Sequence, residues 1–416
     1  MDTLQESELS LSLPGDLVLR RANPADLENL LDLQRNVLGK DSYEEIKYLL
    51  ALPYPNFSIS DFLVVNDLQN TIVSALCLME TQRHFGDTVL KVGMPEFVST
   101  HPDYRNRGLI RAMFSVIESW MQARGYAFGI IGGIGYFYRL FGYEYAVDMH
   151  CIGNLKVETH LGKIPVQDGI EVRSLVEADA PAIFRLQQAR NRGIDIYNEL
   201  SEETWRWRAR TYNLISNGIE DWVALKNGQV LGIASLSGKL PKLRMWNFYG
   251  TEEAAAALIA RALEMPGLDA LKLDQDPETT QGRWMLELSP LLQNNYGWYI
   301  KVIDPLRGFT ELKGEFEKRI SASSFAELTR DLELGFYRFG ICLKFESGKI
   351  IQINTLPSAG ELKISIPPDL LPKLFFGYRD LNQLAGIYPD LYAQGDNWEL
   401  LRTLFPRLRS NMRFIL

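Results

Sequence analysis

The sequence contains little of what disulfide frameworks and metal sites are built from. Its 416 residues include three cysteines, Cys77, Cys151 and Cys342, which lie far apart and form no C-x-x-C pair. We therefore expect neither a disulfide framework nor a structural zinc site. The four histidines show no H-E-x-x-H spacing, so we expect no metal in the active site either.

Long apolar runs are missing as well, because none approaches the ~18 residues that a membrane span requires. Residues 1–18 are acidic and polar, and they lack the charged-then-apolar pattern of a signal peptide. The cytoplasm is therefore the expected location, and a membrane is not an expected partner.

Positive charge is in slight deficit, with 44 lysines and arginines against 52 aspartates and glutamates and a formal net charge of −8. Sequence-independent nucleic-acid binding needs a basic surface, so nucleic acid is not an expected partner. Cationic small molecules fit this charge better, although −8 spread over 416 residues is too dilute to establish them. The composition, 46% hydrophobic and 23% charged, is that of a globular chain, and at roughly 100–200 residues a domain it should form about two to four domains.

The order of predicted elements occurs twice along the chain. Residues 1–16 are expected to form a flexible tail, and after a short strand Asn23 and Pro24 can cap a helix. The first series is strand, helix, hairpin, strand, helix, strand and short helix, at residues 17–20, 27–33, 62–80, 90–100, 109–121, 127–131 and 136–141. From Ile170 a strand, a helix, a hairpin, an alanine-rich helix and a strand return in the same order, although the residue identities do not match. We therefore predict an internal structural repeat.

The C-terminal part has a different pattern. Strands at Phe336–Phe345 and Lys349–Thr355 flank a Ser-Gly pair and predict a hairpin. A further strand is predicted at Glu361–Ile366, and helices are predicted at Pro368–Phe376 and Trp398–Leu404.

Residues 97–111 are the part of the chain that indicates chemistry. They predict a strand, a basic turn and the start of a helix, so the backbone amides of residues 106–110, together with the helix dipole, would bind an anion. Gly108 allows a close approach to the backbone, and Arg105, Arg107 and Arg111 supply positive charge. A pyrophosphate is the natural ligand of such a turn. On this turn alone, an ordinary strand–turn–helix with solvated arginines stays an equal alternative.

Two motifs of the first series resemble those of one enzyme superfamily. Arg105-x-x-Gly108 after a strand matches the acetyl-CoA signature of the GNAT N-acetyltransferases, and the segment FYRLFGY from Phe137 to Tyr143 resembles their F-Y-x-x-x-G-F/Y motif. The resemblance implies acetyl-CoA as co-substrate and a primary amine as acceptor. Because no cysteine lies in the motifs, we expect direct transfer without a covalent enzyme intermediate.

The resemblance also assigns roles to individual residues. Tyr138 falls at the position of the tyrosine that protonates the departing thiolate, and a phenol of pKa ~10 can donate that proton. A packed ring in an aromatic cluster is the alternative for Tyr138. The resemblance implies that the pantetheine arm pairs with a strand edge at Val98, Ser99 and Thr100. It implies that the pyrophosphate is bound by Arg105, Asn106, Arg107, Gly108, Leu109, Ile110 and Arg111. It also implies that a loop at Gly133 and Ile134 lies beside the thioester.

Residues 17–416 also resemble one branch of this superfamily, the enhanced intracellular survival (Eis) acetyltransferases. The sequence YRNRGLIRAM at residues 104–113 is close to the branch's R-R-R-G-L-L-R-A turn, and residues 347–396 look like a sterol carrier protein-type fold. The resemblance implies an α/β (α+β) chain of two tandem GNAT folds, the second degenerate, at 17–155 and 156–300, followed by a sterol carrier protein-like domain at 301–416.

The second of these blocks is not expected to bind CoA. At its strand-to-helix junction, Gly250 is followed by Glu252 and Glu253, and the arginines of the first block are missing. A pyrophosphate would therefore meet negative charge there.

In this branch the general base is the α-carboxylate of the last residue, here Leu416, folded back into the first domain. Burial suits the apolar end FIL of this sequence, although members of the branch commonly end in an aromatic residue. The rival base is Glu96, on the strand that leads into the cofactor site. The branch also implies broad amine acceptors, including aminoglycosides and lysine side chains, and a hexamer. A lipid- or ligand-binding protein that uses the sterol carrier-like domain, with a vestigial GNAT half, is the alternative of another class.

Overall fold

A computed structural model describes residues 9–52, 54, 56–149, 151–165, 168–212, 220–276, 279–289, 291–293, 296–357 and 363–413. Within them the chain has mixed α/β structure with three β-sheets and helices packed on each. No helix in these residues is both long and apolar enough to cross a membrane.

The strands are mostly short, and the longest pair forms the central hairpin of the first sheet. In chain order they are β1 (Ser10–Leu13), β2 (Leu17–Arg21), β3 (Phe62–Asn66), β4 (Ile72–Phe85), β5 (Thr88–Thr100), β6 (Phe128–Ile131), β7 (Glu144–Asp148), β8 (Cys151–Lys156), β9 (Ile170–Ser174), β10 (Ile196–Tyr197), β11 (Glu220–Lys226), β12 (Gln229–Lys239), β13 (Lys242–Gly250), β14 (Ala270–Gln275), β15 (Leu291–Gln293), β16 (Gly297–Val302), β17 (Arg330–Gly335), β18 (Gly340–Glu346), β19 (Lys349–Leu356), β20 (Ile364–Ser365), β21 (Tyr392–Ala393) and β22 (Ser410–Asn411).

The helices connect these strands and cover the sheets. In chain order they are α1 (Leu27–Val37), α2 (Lys40–Ala51), α3 (Leu109–Ala123), α4 (Val157–His160), α5 (Ala180–Asn191), α6 (Glu202–Thr211), α7 (Glu252–Leu263), α8 (Thr280–Leu288), α9 (Pro305–Glu311), α10 (Lys313–Ser321), α11 (Leu371–Phe375), α12 (Leu381–Ile387) and α13 (Asn397–Leu404). Asn23 caps a 3₁₀ turn at Pro24–Asp26 before α1, as its sequence predicts.

The first sheet has the strand order β1-β2-β3-β4-β5-β6-β16-β7, with β10 joined to β4 and β22 joined to β10. Successive residues of a strand point to opposite faces. Leu76 and Leu78 of β4 pack with α3 on one face, and Cys77 and Met79 pack with α1 and α2 on the other. The sheet therefore separates two apolar cores, and the side away from α3 faces the rest of the chain.

Residues 10–13 form β1 rather than part of a flexible tail. They pair antiparallel with residues 17–20 of β2, and Leu11 and Leu13 pack against the core on the α3 side. The physical reason is visible in the sequence SLSL, whose alternation of polar and apolar residues is typical of a half-buried strand.

The first two sheets exchange strands across the expected block limits. β8 pairs with β14 in the second sheet, whereas β16 lies between β6 and β7 in the first. Residues 155 and 300 therefore do not mark the edge of either sheet. Trp298 and Tyr299 of β16 are both buried, one on each face of the first sheet, so this late strand completes both of its cores.

The second sheet, in the order β15-β8-β14-β13-β12-β11-β9, repeats the arrangement of the first. In the first block, Arg20 makes two 2.7 Å hydrogen bonds to the carboxylate of Asp26. In the second block, Arg173 makes the same pair of bonds to Asp179, at 2.7 and 2.9 Å. The repeat therefore includes residue identities, which corrects the expectation that the order of elements alone recurs.

The third sheet has the order β19-β18-β17-β20-β21 and carries the C-terminal helices. Its interior is filled by phenylalanine rings with centroids 4.8–6.5 Å apart, from Phe309, Phe316, Phe336, Phe375 and Phe405. The predicted C-terminal helices correspond to a 3₁₀ turn followed by α11, and to α13.

Two C-terminal strand predictions need correction. The strand predicted at Phe336–Phe345 begins at Gly340, because residues 336–339 form the turn that joins β17 to β18, with Tyr337 at φ 60°. β17 itself was missed. The strand predicted at Glu361–Ile366 is reduced to Ile364–Ser365, and residues 361–362 lie outside the described part of the chain.

Candidate active site

β5 opens away from β6 and is bent at the point where the predicted cofactor site begins. Its parallel pairing with β6 is at residues 92–93. Further along, its register with β4 shifts beside Phe97, whose φ is 53°. A bulge of this kind bends a strand and redirects its side chains. Gln34 of α1 holds the bulge by donating from Nε2 to Phe97 O at 3.1 Å and to Ser99 Oγ at 3.0 Å.

The start of α3 is built to bind an anion. Gly108 is the N-cap, with φ 75° and ψ 9°, and no side chain caps the helix. Asn106 is also left-handed, at φ 62°. The backbone amides of residues 109–111 are first-turn donors, which have no partner within a helix. With no acidic residue in that turn, these amides and the helix dipole favour a negatively charged ligand.

Three arginines, Arg105, Arg107 and Arg111, surround this helix start. Arg107 donates from Nη2 to the carbonyl of Asp103 at 3.0 Å, and Arg111 lies 5.6 Å from the ring centre of Phe141. Among the described residues, neither of these nor Arg105 forms an ion pair with a carboxylate. Their positive charge is therefore available to a polyanion.

A cavity of about 610 Å³ lies between β5, the start of α3 and the 3₁₀ helix Phe137–Phe141. All the predicted cofactor residues except Gly133 line it, namely Val98, Ser99, Thr100, Arg105, Asn106, Arg107, Gly108, Leu109, Ile110, Arg111 and Ile134. Tyr138 lines it too, and Leu38, Phe137 and Leu140 contribute apolar walls. The fold therefore brings two motifs that are distant in sequence to one cavity.

Tyr138 is seated by its neighbours on both sides. Its ring is 5% exposed and packs against Phe114 and Tyr299, with centroids 6.0 and 5.8 Å away. A Cβ atom on Gly133 would lie 2.3 Å from a ring carbon of Tyr138, closer than any real contact. Gly133 therefore makes room for the Tyr138 ring. It does not line the cavity, whereas the sequence placed it beside the thioester.

The hydroxyl of Tyr138 keeps its proton. Burial raises its pKa well above the ordinary value for a phenol, and the charges of Glu96 and Tyr299 act in the same direction. A protonated phenol at the wall of a cavity can donate a hydrogen bond to a nearby anion.

Two carboxyl groups, those of Glu96 and Glu45, have raised pKa values. Glu96 is opposite Cys77 on β4 and so shares its face of the sheet, the side away from α3. Burial raises the pKa of Glu96 to about 8, helped by the charge of Glu45 on α2, while a hydrogen bond from the Phe97 amide lowers it. Burial also raises the pKa of Glu45 to about 7, against the opposing charge of Arg208. A carboxyl group in this range can accept a proton from an ammonium near neutral pH.

The other predicted base, Leu416, lies outside the described residues. The described chain before it returns to the first sheet, because β22 pairs in parallel with β10. Met412 O then accepts a hydrogen bond from Trp298 Nε1 of β16 at 3.3 Å. Arg413 is buried, and its backbone N–H donates to Asn198 Oδ1 at 2.7 Å.

The corresponding helix start in the second block differs in the features that favour an anion. Thr251 caps α7, and its Oγ1 accepts from the Ala254 amide at 3.2 Å. Glu252 and Glu253 occupy the first turn. A capped and acidic helix start repels a pyrophosphate, in agreement with the sequence of this junction.

Sequence reasoning missed two residues of this site. Glu45 lies on α2, whose buried positions Ile46 and Leu49 have helical spacing and could have indicated a helix there. Tyr299 reaches the site on β16, and nothing in its local sequence indicates that strand's partners. Among the described residues, no three His, Cys, Asp or Glu side chains are grouped as a metal site would require.

A family model supports the first block by sequence. Residues 18–146 match the model described as an acetyltransferase (GNAT) domain, which spans β2 to β7 and includes the cavity and Tyr138. The match covers less than half of the chain, and it identifies a GNAT domain in that part. No curated protein matches the chain by sequence.

Solved structures resemble nearly the whole chain in fold. A GCN5-related N-acetyltransferase from Anabaena variabilis is 14% identical, with a TM-score of 0.66, covering 95% of this chain and 99% of its own. A probable N-acyltransferase from Enterococcus faecalis is 14% identical, with a TM-score of 0.63, covering 95% and 97%. Eis1 from Mycobacterium abscessus is 12% identical, with a TM-score of 0.57, covering 95% and 99%. At these identities the likeness concerns the fold.

Proposed function

We propose that the protein is an acetyl-CoA-dependent N-acetyltransferase that transfers an acetyl group directly to a primary amine. The observation that carries this proposal is the cavity in which the uncapped start of α3, unpaired arginines and the Tyr138 phenol meet. The GNAT domain at residues 18–146 contains all of them.

The residues of this cavity fit acetyl-CoA. The first-turn amides of α3, with Arg105, Arg107 and Arg111, would hold the negatively charged pyrophosphate. The open edge of β5 at residues 98–100 would pair with the pantetheine arm. When bound, acetyl-CoA supplies an activated acetyl thioester, and the chain's own part is to orient it and to move two protons.

A carboxylate and a phenol would handle those protons. The proposed base, the Leu416 α-carboxylate or Glu96, accepts a proton from the ammonium so that the amine can attack. Tyr138 donates toward the developing thiolate. Because burial raises the pKa of the Tyr138 hydroxyl, the phenol is protonated and can donate its hydrogen to the thiolate as the carbon–sulfur bond breaks.

Two carboxyl groups support an amine as the acceptor. Glu96 and Glu45 place two carboxyl groups on the side of the sheet away from α3, and their ionisation attracts cations. This supports cationic amines as acceptors. The resemblance to the Eis branch extends the proposal to aminoglycosides with several amino groups and to lysine side chains.

A thiol-release assay tests the proposed activity. The protein is incubated with acetyl-CoA and a panel of aminoglycosides, diamines and lysine peptides, and CoA release is followed together with the mass of the acceptor. We expect release that depends on the amine and an acceptor gain of one acetyl group. Binding of acetyl-CoA without release for any amine would contradict the proposal and favour the ligand-binding alternative.

Two variants separate the candidate bases. A short C-terminal extension removes the Leu416 carboxylate from its position, and Glu96→Gln removes the other carboxylate while keeping its size. Loss of turnover in the extended protein with normal turnover in E96Q assigns the role to Leu416. The reverse result assigns it to Glu96.

The proposal includes a hexamer in the cytoplasm, on the strength of the Eis resemblance. The mass of the protein in solution tests the assembly, and a monomer would contradict it.

A further inference from the structure

Tyr299 contacts the loop between β6 and the helix of Tyr138 through its hydroxyl. The Tyr136 amide donates to Tyr299 Oη at 2.6 Å, and Oη donates to Ile134 O at 3.3 Å. Tyr145 Oη lies 2.6 Å from the same atom, and the two rings stack at 4.0 Å. A hydroxyl has one proton, so Tyr299 donates to Ile134 O when Tyr145 is the donor of the hydrogen bond that the two hydroxyls share, and it accepts from the Tyr136 amide in either case.

The side chains of this loop are largely exposed. Ile134 and Tyr136 are 68% and 64% exposed, so their side chains contribute little packing. Tyr136 has φ 69°, a left-handed conformation that is unfavourable for a non-glycine residue. The backbone hydrogen bonds to Tyr299 therefore provide the anchor of a strained and exposed loop.

The loop and the Tyr138 ring are coupled at both ends. Gly133, at the start of the loop, lies directly against the Tyr138 ring. Tyr136, at its end, is the N-cap of the 3₁₀ helix that carries Tyr138. The Tyr299 ring also contacts that of Tyr138, at 5.8 Å. A shift of the loop would therefore move the phenol relative to the cavity.

We propose that Tyr299 is a positioning residue, which fixes the loop at residues 133–136 and through it the orientation of the Tyr138 phenol. This inference rests on the proposed function of Tyr138. It assigns a role in the first-block site to a strand that comes from the far end of the second block. The strand exchange would then be required for turnover as well as for packing.

The test compares variants that remove a single hydroxyl. Tyr299→Phe keeps the ring and its packing but loses the contacts to the loop. Tyr126→Phe is the matched control, because Tyr126 is equally buried in the same domain and its hydroxyl donates to Glu80 Oε2 at 2.6 Å, away from the loop. Each variant is examined by hydrogen exchange of a peptide covering residues 133–137, by kcat and by the dissociation constant of acetyl-CoA.

We expect Y299F to raise exchange at the Tyr136 amide at least tenfold and to lower kcat about tenfold. The acetyl-CoA dissociation constant should stay within twofold, and Y126F should change neither exchange nor kcat. In a Y138F background, Y299F should lower kcat by less than a further twofold, because the residue that it positions is already absent.

Equal losses of kcat from Y299F in both backgrounds would overturn the positioning role, as would unchanged loop exchange. Full turnover in Y138F would contradict the proposed acid and the positioning role together. An impaired Y138F with an unaffected Y299F would contradict the positioning role alone, so the two failures are distinguishable.

Discussion

With Glu96 as the general base, replacing Glu45 by glutamine should make the enzyme faster near neutral pH. Burial raises the pKa of Glu96 to about 8, and the charge of Glu45 adds to that shift. The pKa of Glu45 is about 7, so Glu45 is ionised over most of the range in which Glu96 titrates. Glu45→Gln removes this like charge and lowers the pKa of Glu96, so more of Glu96 is ready to accept a proton at pH 7.

The size of the effect follows from the two protonation equilibria. With a pKa of about 8, roughly one tenth of Glu96 is ionised at pH 7. Nearby like charges in a protein interact by an energy on the order of 1.4 kcal/mol, which is about one pKa unit. A pKa near 7 would leave about half of Glu96 ionised at pH 7. Because Glu45 is itself only about half ionised at that pH, kcat should rise by less than about fivefold at pH 7 and change little at pH 9.

The assay is the pH profile of kcat between pH 5.5 and 9.5, with saturating acetyl-CoA and an amine that titrates above this range, so that the acceptor is an ammonium ion throughout. Glu28→Gln is the control, because it removes the same charge from an exposed position on the neighbouring helix α1. E28Q should leave the profile unchanged, since an exposed charge is screened by solvent.

An acidic limb that does not move in E45Q would refute the assignment of Glu96 as the titrating base. A limb that moves to higher pH would refute the sign of the electrostatic argument. A limb that also persists in E96Q would indicate another group, for which the Leu416 carboxylate is the candidate.

Four further predictions follow from the site. Tyr138→Phe should lower kcat about 100-fold and leave the acetyl-CoA dissociation constant within twofold, measured by steady-state kinetics and calorimetry. Gly108→Ala and Gly162→Ala should each lower the free energy of unfolding by about 1 kcal/mol, because both glycines have positive φ and open space at Cβ. Only G108A should weaken acetyl-CoA binding, by about tenfold, because Gly108 lines the cavity. Gly133→Ala should lower kcat as much as Y138F does, with no further loss in the double variant, because the added methyl displaces the Tyr138 ring; normal kcat in G133A would contradict this seating. Thermal stability should fall as pH rises from 5 to 8, because the folded chain retains protons on Glu45 and Glu96 that the unfolded chain has released; E96Q should flatten the dependence, and a midpoint that rises with pH would contradict the raised pKa values.

The features that the sequence predicted well are local ones. The Arg105-x-x-Gly108 turn and the short helix of Tyr138 depend on a few neighbouring residues, and both line the cavity that the structure shows. The hairpins and amphipathic helices of both blocks also follow from local periodicity.

Some signals were present in the sequence but were not used. Alternation in SLSL predicts β1. The two blocks share an Arg, an Asp and a Gln at one constant interval, and both glutamines are fully buried, Gln34 against the bulge of β5 and Gln187 against the backbone of Leu200. An alignment of the chain with itself would have found these identities.

Local sequence is enough to predict the strand, turn and helix of the anion site, because φ preferences, caps and hydrophobic spacing act over a few residues. The folded chain is needed to see that β16 enters the first sheet, that Tyr299 reaches the loop beside Tyr138 and that Glu45 lies near enough to Glu96 to raise its pKa. Strands pair through backbone groups that every residue shares, so the partner of a strand is decided by how the whole chain buries its apolar residues. The partner therefore cannot be predicted from the residues of that strand alone.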